Sequence, residues 1–443
     1  MNKTTRWLFN ELALWQTQGI IDNAQAQRIQ SLYREHDEPV WGKIIFAAIG
    51  SIIFGLGIIL LFAYNWADMH RFSKMAVVLL SLITAHALGY YYSGQHSNHP
   101  KVGESLHVLG TMLFGAGIWL VAQIYHIDEH YPNALLVWAL GALAIAWTLP
   151  SLVHTLLSLT LIALWHSFEV FNFQTVNHWA NWIVLVGIIP LAWFQRSRSA
   201  LFMSLSLFIF TFSLSYGQTA DSHEATVLTL LLLLSGGCIL TSFVVTTSSF
   251  PESHGIFRTI GVSVFVITLY IFTFSAVDNV YFRGDLQALS IQTASYFLLP
   301  IVYSVSITTL LLTRYRHSIN NVIFTAEIAL ILGTLTLSLL SVFKPFNLYE
   351  FNWILYNVLF LSYSILLIYR GTHQLVWQAA TVGTIMLSAF TFARFIDLFD
   401  SLLIRAAAFL VIGALLFFVG IYYSRQKIKQ REQFATEARP HVQ

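Results

Sequence analysis

The chain has 443 residues, of which 56% are hydrophobic and only 10% are charged. Soluble domains carry about 25% charged residues, so this chain has too few polar side chains to cover a globule of its size. The composition excludes an ordinary cytosolic enzyme, a disordered chain and a nucleic-acid-binding protein, and it indicates that the protein dissolves in a lipid bilayer. The net charge of +2 predicts no polyanionic partner.

Residues 1–40 are polar and predict a cytoplasmic amphipathic helical hairpin. Gly19 is expected to end the first helix, and Asp22 can cap the second, which carries apolar residues at helical spacing. Such a hairpin either lies against the membrane body or docks a protein partner. The apolar face of the first helix is formed by Trp7, Leu8, Leu12 and Trp15.

From Trp41 onward the sequence predicts an all-α, polytopic integral membrane helix bundle of about 14 transmembrane helices. Strands are excluded, because backbone polar groups in lipid must be satisfied within their own segment. The predicted spans are 41–64, 71–92, 103–126, 132–149, 151–170, 179–195, 199–216, 225–247, 256–276, 290–313, 321–343, 349–369, 373–393 and 402–424.

The distribution of basic residues predicts the orientation. If the N-terminus is cytoplasmic, the segments between predicted spans lie alternately inside and outside the cell. This arrangement places 17 of the 23 Lys and Arg residues inside and 6 outside. This bias follows the positive-inside rule and predicts an even number of crossings with both termini cytoplasmic. Residues 425–443 form a basic cytoplasmic tail that can contact anionic lipid headgroups.

An internal repeat relates residues 50–70 to residues 110–130 without a gap. Eight residues of the first segment recur at an offset of 60. They include both glycines of the Gly-Xaa-Gly core and the Asp and His of the Asp-Xaa-His end. We interpret the repeat as a duplicated N-terminal membrane hairpin with both copies in the same orientation. Its glycines predict either tight helix packing or a locally unwound segment at a binding site.

Several local motifs in residues 10–150 resemble the DUF2157 family of bacterial predicted membrane proteins. They are the Gly19-Ile20-Ile21 turn, Phe54-Gly55-Leu56-Gly57 leading to Asn65-Trp66, and Phe114-Gly115-Ala116-Gly117 leading to Gln123-Ile124-Tyr125-His126 with a following Trp138. The resemblance implies a bacterial inner-membrane protein, and it supplies no activity. The predicted organisation is therefore a hairpin (1–40), a DUF2157-like four-helix unit (41–150), a ten-helix membrane region (151–424) and the tail.

Ionisable residues inside predicted spans are candidates for function, because a charge in lipid is costly. Glu327 lies about two turns into its span, where it is either a proton- or cation-coupling carboxylate or a structural hydrogen-bonded group. His86 and His154 also lie within spans. Each is either a hydrogen-bonded packing group or a ligand.

The outer ends of the two repeat copies carry the other candidate binding residues. If the copies pack side by side, two carboxylates and two imidazoles converge there and can bind a divalent cation or relay protons. The alternative is a set of polar residues that end helices at a wet interface. These candidates are Asp68, His70, Gln123, His126, Asp128 and His130, with His126 and His130 sharing a face if the helix continues that far.

Three classes of function fit this pattern. A transporter or flippase-like protein is favoured by the size, the repeated hairpins and the intramembrane carboxylate. A non-transporting envelope scaffold and a membrane-embedded enzyme acting on lipid-linked substrates are the alternatives. Because no known catalytic or nucleotide-binding motif is present, we predict no catalytic residue and no cofactor, and we expect a lipid bilayer and a small molecule or ion as partners.

Overall fold

The computed structural model of the chain describes residues 3–34, 69–93, 100–126, 130–175, 177–219, 224–274, 296–314, 322–343 and 349–398, and a few single positions elsewhere. Every regular element within these ranges is a helix. The chain divides into two compact units, Met1–Leu80 and Ser81–Gln443. The predicted all-α class is confirmed for the part of the chain that these ranges cover.

The N-terminal hairpin consists of α1 (Lys3–Thr17) and α2 (Asn23–Arg34). Gly19 has a left-handed φ of 71°, and the amide of Ile20 donates to the carbonyl of Trp15, which closes a Schellman turn after α1. Asp22 and Gln25 then form a capping box, since each side chain accepts a hydrogen bond from the other residue's amide. The predicted roles of Gly19 and Asp22 are both confirmed.

The remaining helices are α3 to α14. In chain order they are α3 (Arg71–Ser93), α4 (Pro100–Tyr125), α5 (Pro132–Thr148), α6 (Leu152–Phe173), α7 (Trp179–Phe194), α8 (Arg198–Thr219), α9 (Glu224–Val244), α10 (Ser253–Phe272), α11 (Leu298–Arg314), α12 (Val322–Phe343), α13 (Tyr349–His373) and α14 (Trp377–Leu398).

These twelve helices coincide with twelve of the fourteen predicted spans, with ends that differ by up to eight residues. The predicted spans 41–64 and 402–424 lie outside the described ranges, as does most of the first repeat copy, so the duplicated hairpin and the total of 14 crossings stay predictions. Eight described helices are long and apolar enough to cross a membrane, and α5, α7 and α11 are shorter apolar helices.

The centre of the second unit is α9, which packs against α8, α10, α11 and α12. Its spanning segment is the most deeply buried of the eight long apolar helices. Large aromatic side chains, among them Trp165, Phe265 and Tyr356, are completely enclosed around it. Many large apolar side chains instead point outward, such as Ile83 and Val186, as is expected where the surrounding solvent is hydrocarbon.

A π-helical segment at Ile183–Ile188 precedes Pro190 within α7, which continues as a helix to Phe194. Proline has no amide hydrogen, so the helix around it must satisfy its carbonyl groups in another way. The amide of Ile189 donates to the carbonyl of Val184, five residues earlier, and the indole of Trp147 donates to the carbonyl of Gly187 at 2.9 Å.

The glycines of the second repeat copy make room for rings from other helices. A Cβ atom added to Gly115 would overlap the indole of Trp138 on α5. That indole donates a hydrogen bond of 2.9 Å to the carbonyl of Thr111. Since α4 is helical without interruption from Pro100 to Tyr125, tight packing rather than local unwinding describes this glycine segment.

We expect Gly115→Ala to lower the free energy of unfolding by about 1–3 kcal/mol, because the added methyl group would overlap the Trp138 ring. Gly333→Ala is the matched control within an apolar helix, since the nearest atom to its added Cβ would be 4.0 Å away. Denaturant titration of the purified protein in detergent measures both. Equal stability of the two variants would contradict the assigned packing.

Candidate functional site

Three groups of hydrogen-bonded polar side chains, each with at least one buried member, lie in the second unit. The arginine–glutamate triad is Arg258, Glu327 and Arg370. The histidine network is Glu104, Ser151, His154, Thr111, His107 and His86. The Glu169 cluster is Glu169 with its hydrogen-bond donors His130, Trp165 and Thr175.

The triad joins three helices. Glu327 on α12 is 1% exposed, and each of its oxygens lies 2.6 Å from a guanidinium group: Oε1 accepts from Arg258 on α10, and Oε2 accepts from Arg370 on α13. The guanidinium of Arg258 also lies over the ring of Phe243, 5.5 Å from its centroid. Residues near the starts of α10 and α12 therefore meet a residue near the end of α13.

This geometry favours a structural role for Glu327 over the proton- or cation-coupling role considered from the sequence. Both carboxylate oxygens already accept charge-assisted hydrogen bonds, so neither is free for a transported cation. A buried ion pair of this kind fixes which helices lie side by side. We therefore assign the triad to the architecture of the bundle.

The histidine network links α4 and α6. Ser151 Oγ donates to Glu104 Oε1 at 2.7 Å and lies 3.0 Å from His154 Nδ1. The other ring nitrogen of His154, Nε2, lies 3.0 Å from the hydroxyl of Thr111, which in turn donates to the carbonyl of His107. His154 is completely buried, and Ser151 and Thr111 are nearly so.

A second imidazole pair adjoins this chain. His86 Nδ1 on α3 and His107 Nδ1 on α4 are 3.1 Å apart, so one ring must donate and the other accept. Glycines provide the space for both rings. A Cβ atom on Gly110 would lie 2.6 Å from the ring of His86, and one on Gly89 would lie 3.0 Å from the ring of His107.

The number of available protons limits which hydrogen bonds the histidine network can form. Thr111 uses its hydroxyl proton on a carbonyl, so His154 Nε2 must be the protonated partner of the contact to Thr111. Two contacts remain, from Ser151 Oγ to Glu104 and from Ser151 Oγ to His154 Nδ1. The hydroxyl proton of Ser151 can serve only one of them. Satisfying both contacts requires one further proton, which can be placed on Glu104 or on His154 Nδ1.

The two placements are connected by the serine hydroxyl. With the proton on His154, Nδ1 donates to Ser151 and Ser151 donates to Glu104. With the proton on Glu104, the direction of both hydrogen bonds is reversed. When both contacts are hydrogen bonds, the network holds one proton that can move between Glu104 and His154 without breaking a contact.

The Glu169 cluster lies at the opposite end of α6 from Ser151. Its carboxylate accepts hydrogen bonds from His130 Nε2 at 2.8 Å, from the indole of Trp165 at 3.2 Å and from the hydroxyl of Thr175. Gln174 has a left-handed φ of 51° at the end of α6, and this turn returns Thr175 to the carboxylate.

A cavity of about 690 Å³ adjoins this carboxylate. Burial lowers the pKa of His178, which lies just before α7, and this favours its neutral form. The Nδ1 atom of His178 is buried without a hydrogen-bond partner in the described part of the structure. The lining residues are Glu169, Thr175, Asn177, His178, Trp179 and Trp182.

The structure brings some of the predicted site residues into polar groups. His86 enters the histidine network, Glu327 enters the triad, and His130 binds Glu169. The proposed convergence of Asp68 and Asp128 lies outside the described residues.

Other predicted residues lie on the surface. Gln123 and His126 are exposed, as is His70, whose Nδ1 accepts a hydrogen bond of 3.4 Å from the amide of Phe72. Because α4 ends at Tyr125 and His126 has a left-handed φ of 52°, the helical spacing assumed for His126 and His130 does not apply.

Sequence reasoning missed Glu104, His107 and Glu169. A signal was available for the two glutamates, since both lie within or next to predicted spans, as Glu327 does. His107 lies 21 residues from its partner His86, and no local spacing rule connects them. Only the packing of α3 against α4 shows that the two rings meet.

Residues 13–155 match the family model described as Predicted membrane protein (DUF2157), which confirms the resemblance inferred from the local motifs. The match covers about a third of the chain and includes every member of the histidine network. No curated protein and no solved structure matches the chain. The family match and the apolar helices together identify a multi-pass membrane protein.

Breaking the triad is expected to destabilise the protein strongly. Glu327→Gln leaves two guanidinium groups without their counter-ion, which costs about 3–5 kcal/mol for a buried pair. Glu252→Gln makes the same change in the exposed ion pair with Arg198 and should cost about 0–1 kcal/mol. Unfolding of both variants in detergent tests this difference, and a similar loss in each would refute the structural role of the triad.

Proposed function

We propose that this protein is a proton-linked transporter of a small solute, and that the histidine network is its proton-binding element. The observation that carries the proposal is the proton count: the Glu104–Ser151–His154 contacts need one more proton than Ser151 provides. A proton-coupled transporter needs such a group inside the bundle, where a proton can be held and passed on.

The triad and the Glu169 cluster are consistent with proton binding at the histidine network. Glu327 is fully engaged by two arginines, so the exchangeable proton is better placed on Glu104 and His154. The Glu169 cavity lies at the other end of α6 and offers space for a solute. An envelope scaffold would need neither a proton site nor a cavity lined by a buried carboxylate.

We further propose that the protein lies in a bacterial inner membrane with both termini in the cytoplasm. The surplus of basic residues on the inside supports this orientation. The count of basic residues assumes that successive helices cross the membrane in alternating directions. The triad supports this assumption, because it joins the starts of α10 and α12 to the end of α13. In this orientation the triad and the histidine network lie toward the cytoplasm, and the Glu169 cavity faces outward.

Ser151→Ala should abolish solute-driven proton movement, because it removes the hydroxyl that connects Glu104 to His154 and leaves both titratable groups in place. The measurement uses proteoliposomes with a trapped pH indicator, to which gradients of a panel of small solutes are applied. Wild-type protein is expected to move protons with at least one solute.

Two matched variants separate this effect from a loss of stability. Ser151→Thr retains a hydroxyl and should restore proton movement. Ser213→Ala removes a hydroxyl that donates within its own helix, to the carbonyl of Ile209 at 2.7 Å, and should leave transport unchanged. Proton movement by Ser151→Ala at the wild-type rate would rule out the network as the coupling element.

Single-cysteine labelling tests the orientation. Gln174→Cys and Ser199→Cys place thiols at exposed positions separated by α7, and the native Cys238 is buried. In right-side-out membrane vesicles an impermeant maleimide should label position 174 directly and position 199 only after permeabilisation. The reverse pattern would overturn the proposed orientation.

A further inference from the structure

We infer that the cavity beside Glu169 binds a small organic cation of the ammonium type. The ligand would place its charged nitrogen near the Glu169 carboxylate and its alkyl groups against the rings of Trp179 and Trp182. This site is separate from the histidine network, which lies toward the other end of α6.

The first argument is that the buried Glu169 carboxylate has no arginine or lysine partner among the described residues. The carboxylate is 4% exposed, and its donors are an indole, a hydroxyl and an imidazole. All three groups donate hydrogen bonds that orient the carboxylate, and none of them is a permanent cation. A buried carboxylate without a permanent cation beside it is costly in its charged form, and a bound organic cation lowers that cost.

The second argument is the character of the lining. Glu169 is the one acidic residue among the six lining residues, and none of the six is Lys or Arg. His178 contributes a neutral ring, since burial lowers its pKa. Trp179 and Trp182 also line the cavity, and indole rings attract organic cations through their quadrupole. Uncharged aromatic surface around a single carboxylate favours an ammonium group over an anion or a strongly hydrated metal ion.

The third argument is size and access. The cavity volume of about 690 Å³ is typical of a site for a metabolite-sized molecule and exceeds what one inorganic ion requires. The side chains of Trp179 and Trp182 are 69% and 50% exposed, so this wall of the cavity lies at the protein surface. His130, which orients the carboxylate, stacks edge-on against Phe173 at 4.1 Å and is thereby held in place.

A cation site at one end and a proton site at the other would suit the exchange of an organic cation for a proton. That exchange rests on the proposed function, whereas binding at Glu169 does not. The test is therefore equilibrium binding to the full chain in detergent, where no transport takes place. Loss of proton coupling with intact cation binding would count against the proposed function alone.

The experiment is isothermal titration of the purified protein with choline, with its uncharged isostere 3,3-dimethylbutan-1-ol and with sodium chloride. Choline should bind saturably, and at least tenfold more tightly than the isostere or sodium. Absence of choline binding, or equal binding of the isostere, would overturn the inference, as would sodium binding as tightly as choline.

Matched variants locate the site. Glu169→Gln should weaken choline binding at least tenfold, and Glu252→Gln, the same change at an exposed ion pair, should leave it unchanged. Should Glu169→Gln fail to fold, Trp179→Leu provides the test, because a side chain that is 69% exposed contributes little to folding. It should weaken binding severalfold, whereas wild-type affinity in a folded Glu169→Gln or in Trp179→Leu would refute the assignment.

Discussion

The cost of placing polar groups in an apolar bundle is the constraint on which the second unit depends. Neither hydrocarbon nor a packed core of aromatic and aliphatic side chains offers hydrogen bonds to an isolated charge. The two buried glutamates among the described residues therefore have partners on other segments of the chain, Glu169 with His130 and Glu327 with two arginines. The partly buried Glu104 likewise accepts a hydrogen bond from Ser151. These contacts determine which helix ends meet.

The three polar groups satisfy this constraint in chemically different ways. Arginine carries a permanent charge, so the triad is a fixed ion-pair network. The histidine network uses imidazole and hydroxyl groups, whose protons can move between partners. The Glu169 cluster uses an imidazole, an indole and a hydroxyl as donors, and its carboxylate has no arginine or lysine partner among the described residues and lies next to a cavity. We therefore propose a structural, a proton-binding and a solute-binding role for separate carboxylates of one bundle.

Close packing makes these arrangements possible. Gly110 and Gly89 leave the space that the rings of His86 and His107 occupy, and Gly115 does the same for Trp138. The sequence suggested that such glycines bring two backbones together or unwind a helix. In the described copy, Gly110 and Gly115 pack tightly against side-chain rings of other helices while α4 stays helical, so these small residues create room for large side chains.

Hydrophobic run length predicted the helices well, because about 20 apolar residues are needed to cross a bilayer wherever a helix sits in the fold. Gly19 and Asp22 were likewise predictable, since turns and caps depend on neighbouring residues. The partners of Glu327, His130 and His86 were not, because they lie 21 to 69 residues away and are chosen by the way helices pack. The sequence by itself thus determined a multi-pass helical membrane protein with polar groups in its spans. Only the tertiary structure decided which of those groups are paired and which face a cavity, because hydrogen bonds extend only about 3 Å and local spacing cannot specify them across a bundle.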